Sequence, residues 1–511
     1  MKKILTAIFT LVILTSFNAC NDYLDILPDD KITDVTFWEE PADADMALNG
    51  CYKPLTNICM LGYGPGIDAA TPNGYQWASW ENRLAFVGNG TISPTTNLIV
   101  PQRWQYCYQM IYRINDLFEN IDKIPDYDNA AKEQVIGEAY FLRALAYDLL
   151  TRTYGGVPIV TKVITTSESK ELVRATEEES WNQVYSDFDE AIKRLAKDGK
   201  IGQATLGSAL GMKMKAYLYN SQWDKVLEYC DRIDALDKYK LYPSYYGLFQ
   251  PENEGNDETL FALSFMGGPN NQGSCFDRYF QPQNLKYGMD GSSSTYPTYD
   301  LVREYETIDG SPIDPENPYE NRDPRLDFTI VRPGAYFQGQ LFPTEIRKHT
   351  QALAVSLNIR KYLIETRQVV EFQSDLDFMV LRYGDVLLCR AEAMIETNQN
   401  IDAAIDIINR IRTERDDVKI KPIAKGLNQA DARKILRHER RIELAFEGQF
   451  WDDIKRWKAG TEYYPSIVED DNGGTVSVKF PNGYDVNRDN YLPIASSEIS
   501  INPNLKQNPG Y

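Results

Sequence analysis

The chain has 511 residues, of which 43% are hydrophobic and 25% charged, so it is long and apolar enough to bury a large core. Its 74 acidic and 54 basic residues give a formal net charge of -20 at pH 7. An acidic surface of this kind repels nucleic acid and anionic lipid, which excludes a general role in DNA or RNA binding.

The N-terminus carries export signals. Two lysines precede an apolar run from Ile4 to Leu14, the pattern of a secretory signal peptide, here assigned to residues 1–19. The run is too short to cross a bilayer. Ala19 directly before Cys20 indicates a bacterial lipoprotein cleavage site, with Cys20 as the lipidated first residue and 20–35 as a tether. Ordinary signal cleavage that leaves a free cysteine is the alternative.

Apolar residues recur at helical spacing through much of the segment 36–240. Thr36, with Glu39 three residues later, is expected to cap the first helix. The further predicted helices are Trp104–Ile121, Asn129–Tyr154, Glu177–Leu195, Leu206–Tyr219 and Trp223–Ala235. The last two form a pair joined by a short polar turn, and such recurring units are typical of tetratricopeptide-like arrays.

A second helical block covers 381–457. Its first two predicted helices, 382–397 and 401–414, repeat the pairing seen upstream. A third segment carries dense charge, including Arg440 and Glu443, whose spacing of three lets them form an ion pair. We expect its Arg and Glu side chains to be buried structural pairs. His438 falls on the apolar side of this segment and is expected to lie in the core.

Loop-rich segments separate and follow these helices. They cover 61–101, the insert 241–380 and the tail 458–511, and they are rich in Gly, Pro, Asn and Tyr. Within the insert, Thr259–Phe265 and Leu326–Val331 have the composition of short strands. The sequence therefore predicts a mainly α fold of tetratricopeptide-like helical repeats with long loop-rich insertions, built as one domain over 36–511.

Several motifs in order resemble the SusD/RagB family, the glycan-capturing surface lipoproteins of Gram-negative polysaccharide-utilisation systems. They are Cys20 with its Asp-rich lead-in, Glu138–Ala144 running into Tyr154–Pro158, Leu381–Tyr383 through Arg390–Ala393, Asn409–Arg412, Glu439–Leu444, Asp453–Trp457 and Asn502–Tyr511. The resemblance covers nearly all of the mature chain. It implies about four helix pairs, a lipid anchor in the outer membrane, exposure at the cell surface, and a SusC-like TonB-dependent transporter as partner.

Two aromatic loop clusters are candidates for the ligand site. Sugars present flat apolar faces, which Trp and Tyr rings cover, and hydroxyls, which polar side chains bind. The candidate residues are Tyr75, Trp77, Trp80, Asn82 and Arg83 in the first cluster, and Asn270, Phe276, Tyr279 and Tyr287 in the second. Family members resembling this chain bind ligands through these two regions, although each ring could instead be part of a loop core. The helix-borne aromatics Tyr108, Tyr112, Tyr217, Tyr219, Trp451 and Trp457 are expected to pack between helices.

Signatures of catalysis are few. Two histidines in separate regions make a His-based triad or a multi-His metal site hard to build. Cysteines without CxxC spacing indicate no zinc site, and no phosphate loop or dinucleotide fingerprint occurs. We therefore expect a non-catalytic glycan binder without cofactor or metal. A surface glycoside hydrolase, which needs only two carboxylates about 5–10 Å apart, and a helical-repeat scaffold for protein or peptide remain the alternatives.

Overall fold

The computed structural model describes residues 37–268, 272–282, 291–342, 355–367 and 369–511. Its α-helices are α1 Pro41–Tyr52, α2 Leu84–Gly88, α3 Ile99–Asn120, α4 Asn129–Tyr154, α5 Thr166–Ser169, α6 Glu177–Arg194, α7 Leu206–Tyr219, α8 Trp223–Asp234, α9 Tyr245–Leu248, α10 Phe276–Phe280, α11 Tyr299–Glu304, α12 Arg325–Thr329, α13 Tyr383–Glu396, α14 Ile401–Thr413, α15 Gln429–Glu443, α16 Phe450–Arg456, α17 Gly460–Tyr463, α18 Val486–Asp489 and α19 Ser496–Ile501. Short 3₁₀ helices occur at Lys53–Thr56, Gly64–Ala70, Ile121–Lys123 and Pro251–Asn253.

The strands are short and pair in twos. They are β1 Gly74–Gln76, β2 Thr259–Leu263, β3 Thr295–Pro297, β4 Ile330–Val331, β5 Tyr336–Phe337, β6 Gln340–Leu341, β7 Asn358–Ile359, β8 Phe378–Arg382, β9 Ser466–Glu469 and β10 Thr475–Lys479. The antiparallel pairs are β1 with β3, β2 with β8, β4 with β7, β5 with β6 and β9 with β10. The mainly α fold class predicted from the sequence is confirmed.

Helix boundaries follow from local capping. Asp128 accepts a hydrogen bond from the amide of Ala131 and begins α4, and Thr176 forms a capping box with Glu179 at the start of α6. The prediction for α1 was wrong in its cap: the helix begins at Pro41 behind a capping box of Glu40 with Asp43. Thr36, which the sequence favoured, lies outside the described residues.

The helices form one continuous array in which the two helical blocks meet. Contacts pair α1 with α3, α4 with α6, α7 with α8, and α13 with α14. Further contacts join α3 to α4, α6 to α7, and α8 to α13. The α8–α13 contact brings together two helix pairs that are separated in sequence by the insert 241–380. The insert is closed at its base by the pairing of β2 with β8.

The segment 326–331 differs from its predicted strand. Its first part continues the short helix α12, and only Ile330–Val331 forms a strand, paired with β7. The Leu and Ile side chains that suggested a strand are buried in either conformation. Burial alone therefore gave no signal to distinguish a helix from a strand here.

Charged side chains fill the junction between the helical array and the insert. Glu443 bonds Arg325 and Arg382 at 2.8 Å each and lies 3.0 Å from Arg415, and all four side chains are buried. Burial alone would raise the pKa of Glu443, but the three guanidinium groups hold it well below its ordinary value. The prediction of buried Arg and Glu pairs is confirmed.

The predicted pairing of Arg440 with Glu443 is wrong. Arg440 instead bonds Asp385 on α13 at 2.9 Å and Asp453 on α16 at 3.0 Å. Both partners lie on other helices. The Arg440 guanidinium is buried where these helices meet, so it cannot pair along the solvent-facing side of its own helix. The partners of these charges are therefore set by tertiary packing and not by spacing along one helix.

Three further side chains are placed differently from expectation. Tyr112 on α3 is 53% exposed and does not pack between helices. His438 is half-exposed, with Nδ1 3.0 Å from a Glu304 carboxylate oxygen, and Trp457 is half-buried in the wall of a groove. Of the cysteines, the six in the described part of the chain are buried free thiols, as expected for Cys389.

Candidate ligand-binding surface

The two aromatic loop clusters meet through a short antiparallel ladder. Strand β1 pairs with β3 so that Tyr75 lies opposite Tyr296, and their rings are 5.5 Å apart. The ladder is extended on the β3 side by residues 292–294. There the amide of Ser294 donates to the carbonyl of Tyr279 at 2.6 Å, and the amide of Trp77 donates to the carbonyl of Ser294 at 3.1 Å. Residues some 200 positions apart in sequence therefore flank one segment.

Two pairs of aromatic rings flank this segment, Trp77 with Trp80 on one side and Tyr279 with Phe372 on the other. These four rings are called the aromatic rim. Trp80 is 55% exposed and meets Trp77 edge-on at 5.2 Å, while the indole N–H of Trp77 donates to the Ser293 carbonyl at 2.8 Å. On the other side, Phe372 is 36% exposed and meets Tyr279 edge-on at 5.7 Å. One ring in each pair is anchored and its neighbour is presented to solvent.

Phe372 was missed by the sequence analysis. It lies near the end of the insert, about ninety residues from the second cluster, and only the fold brings it against Tyr279. The sequence shows only an aromatic residue in a loop-rich segment, and the structure gives this residue a φ of 58°. Positive φ is unusual for an aromatic side chain and marks a tight loop, but it cannot be read from sequence.

Two carboxylates lie behind the rim and brace its loops: Asp277 is buried and Glu81 is half-buried. Glu81 accepts hydrogen bonds from Tyr63 at 2.6 Å and from Ser294 at 2.5 Å, and burial raises its pKa to about 7. Asp277 accepts from the amide of Phe372 at 3.2 Å, and burial raises its pKa to about 7 as well. These contacts tie the first cluster, the 292–294 segment and the Phe372 loop to one another.

Charged side chains also border the rim. Arg278 forms an ion pair with Glu371 at 2.6 Å and bonds Ser292, which fixes its guanidinium beside Tyr279. Arg83 is half-exposed, and its Nε donates to Asn97 at 2.8 Å. Both arginines keep further N–H groups that can donate to hydroxyls.

Two predicted site residues are structural. Asn82 is fully buried, where it accepts a hydrogen bond from Gln76 at 2.9 Å and donates to the carbonyl of Ile58. Phe276 is also fully buried, with its ring between Phe265 and Phe280. Neither can touch a ligand, because residue type within a loop does not tell which side chain turns inward. Asn270, Tyr287 and Cys20 lie outside the described residues.

Neither a metal site nor a membrane span is found in the described part of the chain. No group of three or more His, Cys, Asp or Glu side chains there is placed to hold a metal ion. Likewise, the helices among these residues are all too short or too polar to span a bilayer. In the Asp309–Gly310 turn, the Asp309 carboxylate accepts a hydrogen bond from the amide of Ser311 at 3.0 Å.

Stacked helix pairs that carry a loop-borne aromatic surface define the class of helical-repeat proteins with a long loop-rich insert. The model of the SusD family matches residues 257–511, and a model described as starch-binding associating with outer membrane matches residues 22–218. The chain belongs to the SusD/RagB family.

Full-length relatives agree with this assignment. SusD-like protein P2 of Formosa agariphila is 27% identical over 98% of both chains. The crystal structure of a SusD-like carbohydrate binding protein from Bacteroides fragilis is similar with a TM-score of 0.82 and 25% identity, covering 92% of this chain and 100% of that one. A laminarin binding SusD-like protein shares the fold at a TM-score of 0.73 and 20% identity, covering 93% of this chain and all of that one.

Proposed function

We propose that this protein is a non-catalytic carbohydrate-binding lipoprotein of the outer membrane, which captures oligosaccharides at the cell surface and passes them to a SusC-like TonB-dependent transporter. Membership of the SusD/RagB family supports carbohydrate binding and association with the outer membrane. The similarity in fold to a SusD-like carbohydrate binding protein and to a laminarin binding SusD-like protein supports the same function.

The aromatic rim is the observation that carries the proposal. Trp80 and Phe372 are exposed rings that would ordinarily be costly to present to water, and each is held against a second, anchored ring. Such pre-arranged rings cover the apolar face of a sugar with little loss of side-chain entropy. Arg278 and Glu371, which directly precede Tyr279 and Phe372 in the chain, would bond hydroxyls at the edges of the rings, and Arg83 is a further candidate from the first cluster.

The half-buried Glu81 and the buried Asp277 act as braces in this proposal. Glu81 has both oxygens engaged by Tyr63 and Ser294, so it is turned toward the protein and not toward a bound sugar. Asn270 and Tyr287, together with the half-buried Tyr75, stay candidates for further ligand contacts from the same two loops. A glycosidase would need a pair of carboxylates free to reach the scissile bond.

Membrane attachment is assigned to a lipid on Cys20, and the transporter partner rests on the family alone. Replacement of Cys20 by Ala is expected to abolish incorporation of labelled fatty acid and to release the protein from the outer-membrane fraction. The full-length wild-type protein is the matched control. Retention of the label in the Cys20→Ala variant would place the lipid elsewhere.

Two assays test the proposed function: retardation of the protein in glycan-containing gels, and analysis of the glycans for cleavage products. The purified mature protein is run through gels that contain starch, laminarin or other polysaccharides, and the same glycans are then incubated with it and assayed for reducing ends. We expect retardation by at least one glycan and no reducing ends. Release of reducing ends would favour the hydrolase, and absence of retardation across the panel would favour a protein or peptide scaffold.

A further inference from the structure

A charged groove runs along helix α15 and shares no lining residue with the aromatic rim. Its volume is about 600 Å³, within the range of small-ligand sites. Its floor is one face of α15, where Arg433, Lys434, Arg437 and Arg441 recur at helical spacing. Its walls come from α13, from the start of α8 and from Trp457. Four cations on one face are notable in a chain of net charge -20.

Most cations of this groove are already neutralised. Arg433 holds Glu396 through two bonds of 2.5 and 2.7 Å, and Arg456 holds Glu392 through bonds of 2.6 and 2.7 Å. Arg441 is paired with Asp300 and Glu304. Bidentate pairs of this kind leave little capacity for another anion.

Arg437 and Lys434 are different. The one carboxylate near Arg437 is Glu462, at 3.4 Å from Nη1, and this glutamate side chain is 64% exposed. The Nε of Arg437 is buried and has no hydrogen-bond partner among the described residues. Lys434 is exposed and forms no ion pair with any part of the chain that the structure describes. A buried N–H without an acceptor is costly unless a ligand supplies one.

The Arg437 side chain is held in place by an aromatic wall. Its guanidinium carbon lies 4.9 Å from the centre of the Trp457 ring, and the guanidinium carbon of Arg456 lies 5.0 Å from the same ring. The indole N–H of Trp457 donates to Glu392 at 2.7 Å, which fixes the ring. Arg437 is therefore pre-arranged, and the half-buried ring of Trp223 faces the same groove.

We propose that the α15 groove is a second binding site, which takes a small saccharide bearing a carboxylate. The Nε–H and Nη2–H of Arg437 form a fork that matches the two oxygens of a carboxylate, and Lys434, three residues earlier on the same face, adds a second positive charge. The indole ring of Trp223 covers the apolar face of the sugar, Trp457 holds Arg437 in place, and the lining carboxylates accept hydrogen bonds from the sugar hydroxyls. The site does not depend on the aromatic rim.

Titration of the mature protein with D-glucuronate, D-glucose and acetate, followed by Trp fluorescence and calorimetry, tests this site. We expect glucuronate to bind more tightly than either of the other two, and the affinity to fall with rising salt. Lys434→Ala and Arg437→Lys should each weaken glucuronate binding, and the double variant should weaken it at least about tenfold. Lys193→Ala, an exposed lysine of α6, is the matched control and should leave it unchanged.

Because Lys434 is exposed, its removal leaves folding intact, so loss of binding in that variant reports on the site. Equal affinity for glucose and glucuronate would show that the groove does not bind the carboxylate. Equal affinity for acetate and glucuronate would show that it does not bind the sugar ring. Unchanged glucuronate binding in the double variant would overturn the location. Trp80→Ala should leave glucuronate binding intact, because Trp80 does not line the α15 groove. The proposals for the groove and for the aromatic rim can therefore be contradicted separately.

Discussion

Glu443 forms ion pairs with three arginines from separate parts of the chain, Arg325, Arg382 and Arg415. Each of those guanidinium groups is buried and depends on its carboxylates to replace water. Such a network adds little net stability compared with a well-packed apolar core, but loss of one member leaves the others uncompensated.

Replacement Glu443→Gln should therefore destabilise the protein by about 3–5 kcal/mol, because the charge facing Arg325, Arg382 and Arg415 is removed. The measurement is the free energy of unfolding in urea. Glu414→Gln, which breaks the exposed pair with Arg410, is the matched control and should change stability by less than about 1 kcal/mol. Equal effects of the two replacements would show that the buried network is dispensable.

The carboxylate of Glu81 should make the stability of the protein depend on pH, because its pKa is raised, whereas that of Glu443 is lowered. Burial raises its pKa from 4.5 to about 7, so its favourable contribution is complete below pH 4.5 and is lost as the pH rises through about 7. A glutamine at position 81 stays neutral at every pH. The free energy of unfolding of Glu81→Gln should therefore increase relative to that of the wild type as the pH rises from about 5 to about 8. Glu178→Gln, exposed on α6, is the control for the mere loss of a carboxylate. Parallel profiles of wild type and Glu81→Gln would contradict the account.

Single residues were the level at which the sequence was least informative. Trp80 could be proposed as an exposed ring and Asn82, two residues later, could not be distinguished from it, although one is exposed and the other fully buried. Arg440 was given a neighbour on its own helix because its real partners, Asp385 and Asp453, come from other helices. Side-chain direction in an irregular loop and the partners of a buried charge both depend on tertiary packing.

Elements were predicted better, because their signals are local. The helix Asn129–Tyr154 was predicted from its 3.6-residue apolar period and the Gly-Gly sequence that follows it, and the structure adds the Asp128 cap at its start. The strand β3 could not be foreseen, since three residues give no usable period and their partner β1 is more than two hundred positions away. This ladder is the element that assembles the aromatic rim.

The Gly-Gly stop after α4 offers a test at this scale. A Cβ on Gly156 would lie 2.1 Å from the carbonyl oxygen of Ala175, where the chain enters α6. Gly156→Ala should therefore lower the free energy of unfolding by about 1–3 kcal/mol, because neither backbone segment can move without disturbing a helix contact. Gly50→Ala within α1 is the matched control, since no atom lies within 4 Å of its Cβ, and it should be neutral or stabilising by up to about 1 kcal/mol. Two equally stable variants would contradict the close approach.

At the scale of the whole molecule, two helical blocks that are distant in sequence form one array, and the proposed ligand-binding surface lies on the loops 61–101 and 241–380. The α8–α13 contact and the β2–β8 ladder close the insert 241–380 at its base. The base of the insert is also tied to the array by the buried pairs of Arg325 with Glu439 and Glu443. The aromatic rim and the α15 groove use different parts of this frame, so each can be changed without loss of the other.

The most direct test of the account is the affinity of the aromatic rim for a retained glycan. The double variant Trp80→Ala/Phe372→Ala removes two exposed rings and leaves the anchored Trp77 and Tyr279 in place. We expect its affinity, measured by calorimetry with the glycan that retards the wild-type protein, to fall at least about tenfold, or about 1.4 kcal/mol. Tyr112→Ala, which removes a ring 53% exposed on α3, is the matched control and should bind as wild type. Undiminished affinity in the double variant would contradict the central claim that these loops bind carbohydrate.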